Sequence, residues 1–169
     1  MQQSIFLDDY AGAVFDKSGR YRYSLWRIWD ESLSACTFVM LNPSTANETN
    51  NDPTVARCIN YAKAWGYGKL NVRNIFAYRS TDPRELLKVV DPIGPDNDKH
   101  ILEAVLESKL IVAAWGTWGR LLKRGHEVLK IIEPYADIHC LGTTMDGFPK
   151  HPLYLKKDKL PELIRVLSV

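Results

Sequence analysis

The sequence predicts an α/β protein, a three-layer α/β/α sandwich with a central, mainly parallel sheet of about four strands. From residue 36 onward, short apolar runs alternate with longer segments of helical spacing, as in folds whose strands are buried on both faces. The 169 residues, 46% of them hydrophobic, are enough to bury one core. We therefore expect a single α/β domain over residues 1–169, with an N-terminal hairpin extension in residues 1–35 and a core in residues 36–169.

The N-terminal extension is predicted to be a β-hairpin. Residues 13–15 are apolar, residues 16–19 form a turn sequence that ends in glycine, and aromatic and polar residues alternate over residues 21–29. We expect two antiparallel strands that pack as an addition to the core.

Four apolar runs predict the strands of the core sheet. They cover residues 37–41, 70–77, 110–115 and 138–141. Ligands of such sheets gather at the carboxyl ends of the strands. The residues that directly follow these runs are therefore the candidates for a functional site.

Five segments have helical patterns. The clearest begins at Asp52-Pro53, a capping residue followed by proline, and ends at Gly66 and Gly68. The others follow Pro83, cover residues 98–107 and 121–132, and close the chain in residues 160–167. We expect these helices to cover the sheet.

Composition excludes several classes of protein. With 22 Lys and Arg against 20 Asp and Glu, the net charge of +2 does not by itself indicate a nucleic-acid binder. Cys36, Cys58 and Cys140 lie in apolar runs, which predicts reduced core residues. The histidines lack the spacing of metal ligands and no nucleotide fingerprint is present, so we expect neither a metal nor a cofactor. The chain opens without a signal-peptide pattern and has no apolar run of ~20 residues, so we expect a cytoplasmic protein without a membrane role.

The first polar segment at a strand end is Leu-Asn-Pro-Ser-Thr-Ala, residues 41–46. Pro43 fixes the backbone there, and Asn42 can present its amide to a cleft. The same letters also suit a plain turn in which Asn42 and Ser44 bond to their own backbone. Spacing alone does not decide between these two interpretations.

The second polar segment covers residues 71–81 and ends in Tyr-Arg-Ser-Thr. An aromatic ring, a guanidinium and two hydroxyls suit the binding of a base and a phosphate. The alternative is that Thr81 or Asp82 caps the next helix and that Arg79 is a solvated surface charge.

The third segment, Trp115-Gly116-Thr-Trp-Gly, has two glycines at a strand end, which permit close approach of a backbone or ligand. Core packing is the alternative role for Trp115.

The fourth segment is a long loop over residues 141–155, with lysines nearby and His151-Pro152 within it. A long loop after the last strand is typical of a functional element. His151 could instead be a structural histidine.

Taken in order, these four segments closely resemble the bacterial and phage domain-of-unknown-function family 1643, from about residue 38 to residue 155. More distantly, they resemble the uracil-DNA glycosylase superfamily, especially its mismatch-specific branch. In that branch an Asn-Pro loop after the first strand positions the attacking water. The last motif begins with His-Pro or Asn-Pro, contacts the departing base and carries a loop that enters the minor groove. Asn42-Pro43 and His151-Pro152 match these two motifs.

The resemblance implies a uracil-DNA-glycosylase-like fold and hydrolysis of an N-glycosidic bond in DNA or a nucleotide, with Asn42 and His151 as catalytic residues. Their exposure in a cleft would leave stability within ~1 kcal/mol on replacement by alanine. A flipped base would stack on Phe76, Tyr78 or Tyr154. The implied substrate-binding residues are Pro43, Ser44, Thr45, Phe76, Tyr78, Arg79, Trp115, Gly116, Pro152 and Tyr154, and Lys150, Lys156 and Lys157 are implied to contact phosphate or DNA.

The chain departs from the glycosylase pattern at three places. Met-Leu replaces the glycine before Asn42, Ser44 follows the proline, and Leu-Tyr-Leu replaces a Ser-containing insertion loop at residues 153–155. Two alternatives therefore stay open. One is a non-catalytic module that binds nucleic acid or a nucleotide. The other is a protein-interaction domain that uses the aromatic side chains of the hairpin, Tyr21, Tyr23, Trp26 and Trp29.

Overall fold

The protein was studied as a computed structural model that describes residues 3–8 and 10–164. In this part of the chain, eight strands form one sheet, which is covered by three α-helices and two short 3₁₀ helices. The strands are β1 (Gln3–Asp8), β2 (Ala11–Phe15), β3 (Arg22–Ile28), β4 (Ala35–Met40), β5 (Lys69–Asn74), β6 (Leu110–Ala113), β7 (His139–Cys140) and β8 (Glu162–Leu163). The helices are α1 (Pro53–Ala64), α2 (Asn97–Glu107) and α3 (Arg124–Ile132), and the 3₁₀ helices are Pro83–Leu87 and Thr117–Lys123.

The sheet is mixed, with the strand order β1-β2-β3-β5-β4-β6-β7-β8. Its centre is parallel, because β5, β4, β6 and β7 run in the same direction. Strands β1 to β3 form an antiparallel meander, and β3 joins the centre by antiparallel pairing with β5. At the other edge, β8 pairs antiparallel with β7.

The prediction of a mainly parallel sheet of about four strands is therefore wrong. The protein is α/β, but the sheet has eight described strands, four of its seven strand pairings are antiparallel, and the predicted hairpin strands extend the core sheet through the antiparallel pairing of β3 with β5. The sequence pattern predicted each hairpin strand from its own alternation. The alternation could not predict which strand pairs with β3. The pairing of β3 with β5 joins residues more than forty positions apart in the sequence, such as Leu25 and Val72.

The central strand β4 is buried along its whole length. Successive side chains of a strand point to opposite faces, so Cys36, Phe38 and Met40 pack in the cluster that contains the α1 residues. Val39 packs on the opposite face with residues of α2 and α3. The sheet thus has α1 on one side and α2 and α3 on the other, which explains why β4 reads as a continuous apolar run.

Helix α1 forms where the sequence predicts it. The Asp52 Oδ1 atom accepts a hydrogen bond from the Val55 backbone N–H at 2.8 Å, and Pro53 opens the first turn. The chain leaves the helix through Gly66, whose φ of +86° lies in the left-handed region.

Three other helix predictions need correction. The segment after Pro83 is a 3₁₀ helix of five residues, and of its apolar side chains only Leu86 is buried. The helix predicted over residues 121–132 starts at Arg124, because Leu122 and Lys123 adopt left-handed backbone angles. Residues 162–163 of the predicted last helix form β8, and residues 165–167 of it lie outside the described part of the chain.

The three cysteines are buried and unpaired, as predicted, and burial raises the pKa of each thiol. Within residues 3–8 and 10–164, the helices are all too short or too polar to cross a bilayer.

Candidate functional site

A cavity of about 400 Å³ opens at the carboxyl ends of the parallel strands. Asn42 follows β4, Asn74 ends β5 and Trp115 follows β6, so three neighbouring strands contribute to its wall. His151 enters from the loop after β7. The volume of the cavity falls within the range of roughly 300–1,000 Å³ that is usual for ligand pockets. The strand ends named by the sequence analysis thus meet at one place.

Asn42 is held in one orientation by the backbone. Its Nδ2 donates to the carbonyls of Pro43, Tyr78 and Ser80 at 3.2, 3.3 and 3.0 Å. If the amide were flipped, its oxygen would face three carbonyl oxygens. The hydrogen bonds therefore fix the positions of the amide nitrogen and oxygen. The Oδ1 atom accepts no hydrogen bond from the described residues and is the acceptor that the side chain offers to a ligand.

His151 is half-buried in the cavity wall and is neutral at pH 7. Burial lowers its pKa below the ordinary value of 6.5, and the Asp52 carboxylate opposes this shift. The His151 Nδ1 atom accepts a hydrogen bond from the Leu153 backbone N–H at 3.2 Å. The proton of the neutral ring therefore resides on Nε2, which makes the side chain a neutral donor.

Arg22, from the start of β3, also lines the cavity. Because β3 runs antiparallel to β5, its first residue lies beside the carboxyl ends of the parallel strands. The guanidinium is 2% exposed and donates to the Ala46 carbonyl at 3.0 Å and to Asn74 Oδ1 at 3.3 Å. Burial lowers the pKa of Arg22 to about 9, so the side chain stays charged at neutral pH.

Asp52 brings a negative charge to the same wall. Its carboxylate caps α1 through Oδ1, and Oδ2 accepts from the Ala46 backbone N–H at 3.4 Å. The loop that carries Ala46 is thus bonded to both the buried guanidinium and the helix cap. Arg22 and Asp52 place charges of opposite sign in a cavity whose wall also contains apolar side chains.

Trp115 forms a buried part of the cavity wall and packs against two glycines. A Cβ atom at Gly119 would lie 2.2 Å from the indole Cδ1, and one at Gly125 would lie 2.7 Å from Nε1. A side chain at either position, Gly119 or Gly125, would therefore collide with the indole of Trp115. Gly116, at φ +71°, provides the turn that follows Trp115.

Five of the predicted site residues line the cavity: Asn42, Ser44, Trp115, Gly116 and His151. Pro43 and Pro152 are buried and do not line it, and Thr45 is exposed. Phe76 is fully buried in the core. Tyr78 gives its carbonyl to Asn42 and packs its ring edge-on against Tyr21.

The remaining predicted contacts lie outside the cavity wall. Arg79 donates to the Gly19 carbonyl at 3.1 Å, and its guanidinium lies 4.7 Å from the centre of the Phe15 ring. Tyr154 is 92% exposed, with a φ of +70°. Lys150, Lys156 and Lys157 are exposed, and Lys157 borders a smaller cavity of about 250 Å³ together with Arg57.

Sequence reasoning missed Arg22 and Asp52 as site residues. Asp52 was identified only as a helix cap, and Arg22 only as one polar position in an alternating strand. The signal that could have identified Arg22 is an arginine on the inward side of a hairpin strand. A buried charge at such a position requires a compensating partner, so it indicates a possible binding site. For metal ligation, residues 3–8 and 10–164 contain no group of three or more His, Cys, Asp or Glu side chains that could hold an ion.

The fold and the cavity define an α/β protein with a cleft of mixed polar and apolar lining at the carboxyl ends of the parallel strands of a mixed sheet. The model of the family described as "Protein of unknown function (DUF1643)" matches residues 22–153, so the chain belongs to that family. The match begins at Arg22 and includes every residue of the cavity wall. Neither a curated protein nor a solved structure matches the chain.

Proposed function

We propose that the protein is a nucleobase-directed hydrolase that cleaves the N-glycosidic bond of a DNA or nucleotide substrate. The proposal is carried by one juxtaposition: the fixed amide of Asn42 and the neutral imidazole of His151 line the same cavity. These are the two groups that the resemblance to the glycosylase superfamily assigns to the chemistry. The cavity is large enough for a base.

Asn42 is suited to orient water. An amide oxygen is too weak a base to remove a proton from water, but it can accept a hydrogen bond and hold the water toward the anomeric carbon. Three backbone carbonyls already anchor the other end of the amide, so little side-chain freedom is lost when the water binds. In this mechanism Asn42 contributes positioning.

His151 is suited to stabilise the departing base. Cleavage leaves negative charge on a base oxygen or nitrogen, and a donor placed at that atom lowers the barrier. Neutral imidazole with its proton on Nε2 provides such a donor. The ring of Trp118, half-buried in the same wall, offers an apolar surface for the base.

Base release is the activity to measure. Purified protein is incubated with single- and double-stranded DNA that carries uracil, mismatched thymine or other altered bases, and with free nucleotides. Mass spectrometry then detects the released base. We expect the His151→Ala variant to release base at least about 100-fold more slowly than wild type, the usual effect of removing one transition-state donor.

The matched control is His126→Ala. His126 is exposed on α3 and lies outside the cavity wall, so its removal should leave base release unchanged. Equal rates for wild type and the His151 variant would rule out the mechanism.

A second candidate is a nucleotide-binding module without chemistry, and the contacts of Asn42 favour it specifically. Three hydrogen bonds to the backbone give this side chain a structural role that needs no reaction. Saturable binding of a nucleotide, with no base released from any substrate, would support this candidate over the hydrolase.

A further inference from the structure

Arg22 is a buried cation without a carboxylate partner. No Asp or Glu oxygen in the described part of the chain lies within 4.0 Å of its guanidinium nitrogens, and its Nε has no hydrogen-bond partner there. Its two hydrogen bonds go to neutral oxygens, those of Ala46 and Asn74. A charge that is removed from water is costly unless an opposite charge compensates it.

The surroundings of Arg22 do not supply that compensation. Asp52 acts on Arg22 only from beyond ion-pair distance, while Arg27, Arg73 and Arg79 add positive charge. Both oxygens of Asp52 already accept backbone hydrogen bonds. Positive charge therefore exceeds negative charge around this end of the cavity.

The same wall holds partly exposed hydroxyl groups that make no hydrogen bond to the described part of the protein. Within residues 10–164, the side chains of Ser44, Thr54, Thr81 and Thr117 line the cavity and make no hydrogen bond to another protein group. Each hydroxyl can donate one hydrogen bond. Ser80, by contrast, already donates to the Asp82 carbonyl at 2.7 Å.

We infer that the cavity contains a phosphate-binding subsite formed by the charge of Arg22 and these unpaired hydroxyls. A terminal phosphate has three non-bridging oxygens that accept strong hydrogen bonds, whereas a carboxylate or a phosphodiester has two, so a terminal phosphate matches the number of donors best. The phosphate supplies the negative charge that Arg22 lacks within the protein.

The step from phosphate to nucleotide rests on the proposed function: if a base occupies the cavity, the phosphate is that of the same nucleotide. Two sources share this chemistry. One is the terminal phosphate of a free nucleotide, and the other is a backbone phosphodiester of a single strand.

Calorimetric titration tests the subsite with four probes: inorganic phosphate, thymidine, thymidine 5′-monophosphate and a short oligothymidine without terminal phosphates. We expect saturable binding of inorganic phosphate and at least about tenfold tighter binding of the monophosphate than of thymidine, the effect of one charge-assisted contact. A preference for the oligothymidine identifies a backbone phosphate instead, which also supports the subsite. No response to phosphate, together with equal affinity for thymidine and its monophosphate, overturns it.

Two variants and one control make the test specific. Arg22→Lys should weaken phosphate binding about tenfold or more, since lysine does not reproduce the planar guanidinium. Asp52→Asn should strengthen it, because asparagine keeps the helix cap through Oδ1 and loses only the 3.4 Å bond from the Ala46 N–H, while the competing negative charge is removed. Lys109→Met removes an exposed charge at the opposite, amino end of β6 and should have no effect.

If Arg22→Lys does not fold, Asp52→Asn decides, and unchanged phosphate affinity in that variant overturns the subsite. This test is separate from the test of the hydrolase. Phosphate binding without base release would refute only the chemistry, while base release without a contribution from phosphate would refute only the subsite.

Discussion

At the scale of single residues, the main feature of the site is that Asn42, which is partly buried, both stabilises the backbone around it and lines the cavity. Its Nδ2 joins the loop after β4 to the segment after β5, through the carbonyls of Tyr78 and Ser80. Its position at a strand end indicated exposure in a cleft. The contacts show that half of the amide holds two strand ends together, and position in the sequence could not reveal this.

This role changes the expected stability of Asn42→Ala. Removal of the amide leaves the carbonyls of Tyr78 and Ser80 without this donor, while the Pro43 carbonyl keeps its bond from the Ser80 N–H at 2.9 Å, so we expect the free energy of unfolding to fall by about 1–3 kcal/mol. This exceeds the limit of ~1 kcal/mol expected from exposure alone. Denaturant unfolding measures the change, with Ser44→Ala as the control within about 0.5 kcal/mol. An equal effect of the two substitutions would show that the three hydrogen bonds do not stabilise the fold.

His151 gives a prediction about pH. Its folded-state pKa is depressed by burial, so the unfolded chain binds a proton more readily than the native protein. The contribution of His151 to the free energy of unfolding is fully present above its unfolded-state pKa of about 6.5. It is lost as pH falls from there through the lower pKa of the folded state. We expect NMR titration of the ring to give a pKa below 6.5, and a still lower one in Asp52→Asn, because Asp52 raises it. A value above 6.5 would contradict the burial of the ring.

Five residues of the cavity wall follow from sequence at this scale. Asn42, Ser44, Trp115, Gly116 and His151 were found because the carboxyl ends of parallel strands meet at one edge. Arg22 could not be found by that rule, since it lies at the beginning of an antiparallel strand. Phe76 was named as a base-stacking candidate, but its side chain is fully buried in the core, a distinction that requires the register of the strand.

At the scale of elements, the segment between β6 and α3 differs from its sequence pattern. Apolar spacing over residues 121–132 predicts one helix, but the chain forms a 3₁₀ helix and then turns through Leu122 and Lys123. Leu122 is exposed, so the apolar letter that extends the helical pattern does not mark a core position. The helical pattern is interrupted a few residues after Gly119, whose lack of a side chain makes room for the indole of Trp115.

The left-handed conformation of Lys123 gives a prediction for this element. A residue with a side chain is strained at φ +54°, by roughly 1–2 kcal/mol, and glycine is not. Glycine also adds freedom to the unfolded chain, which offsets part of this gain. We therefore expect Lys123→Gly to raise the free energy of unfolding by about 0.5 kcal/mol or more. The control is Lys130→Gly within α3, which should cost about 1 kcal/mol. Equal losses in the two variants would contradict the strained turn.

At the scale of the whole molecule, sequence predicted the class and most elements but not the extent of the sheet. The four core strands were located because each is an apolar run between helical segments. Pairing of β3 with β5 depends on contacts far apart in the chain, and local patterns do not encode them. That pairing matters for the site, because it brings Arg22 to the cavity.

We propose that the cavity binds a nucleobase and that Asn42 and His151 assist hydrolysis of its bond to the sugar. The most direct test is the rate of free-base release under single-turnover conditions, measured by mass spectrometry for wild type and His151→Ala on the DNA and nucleotide panel. The account predicts release by wild type from at least one substrate and a rate about 100-fold lower in the variant. No release from any substrate, or the same rate in both proteins, would contradict it.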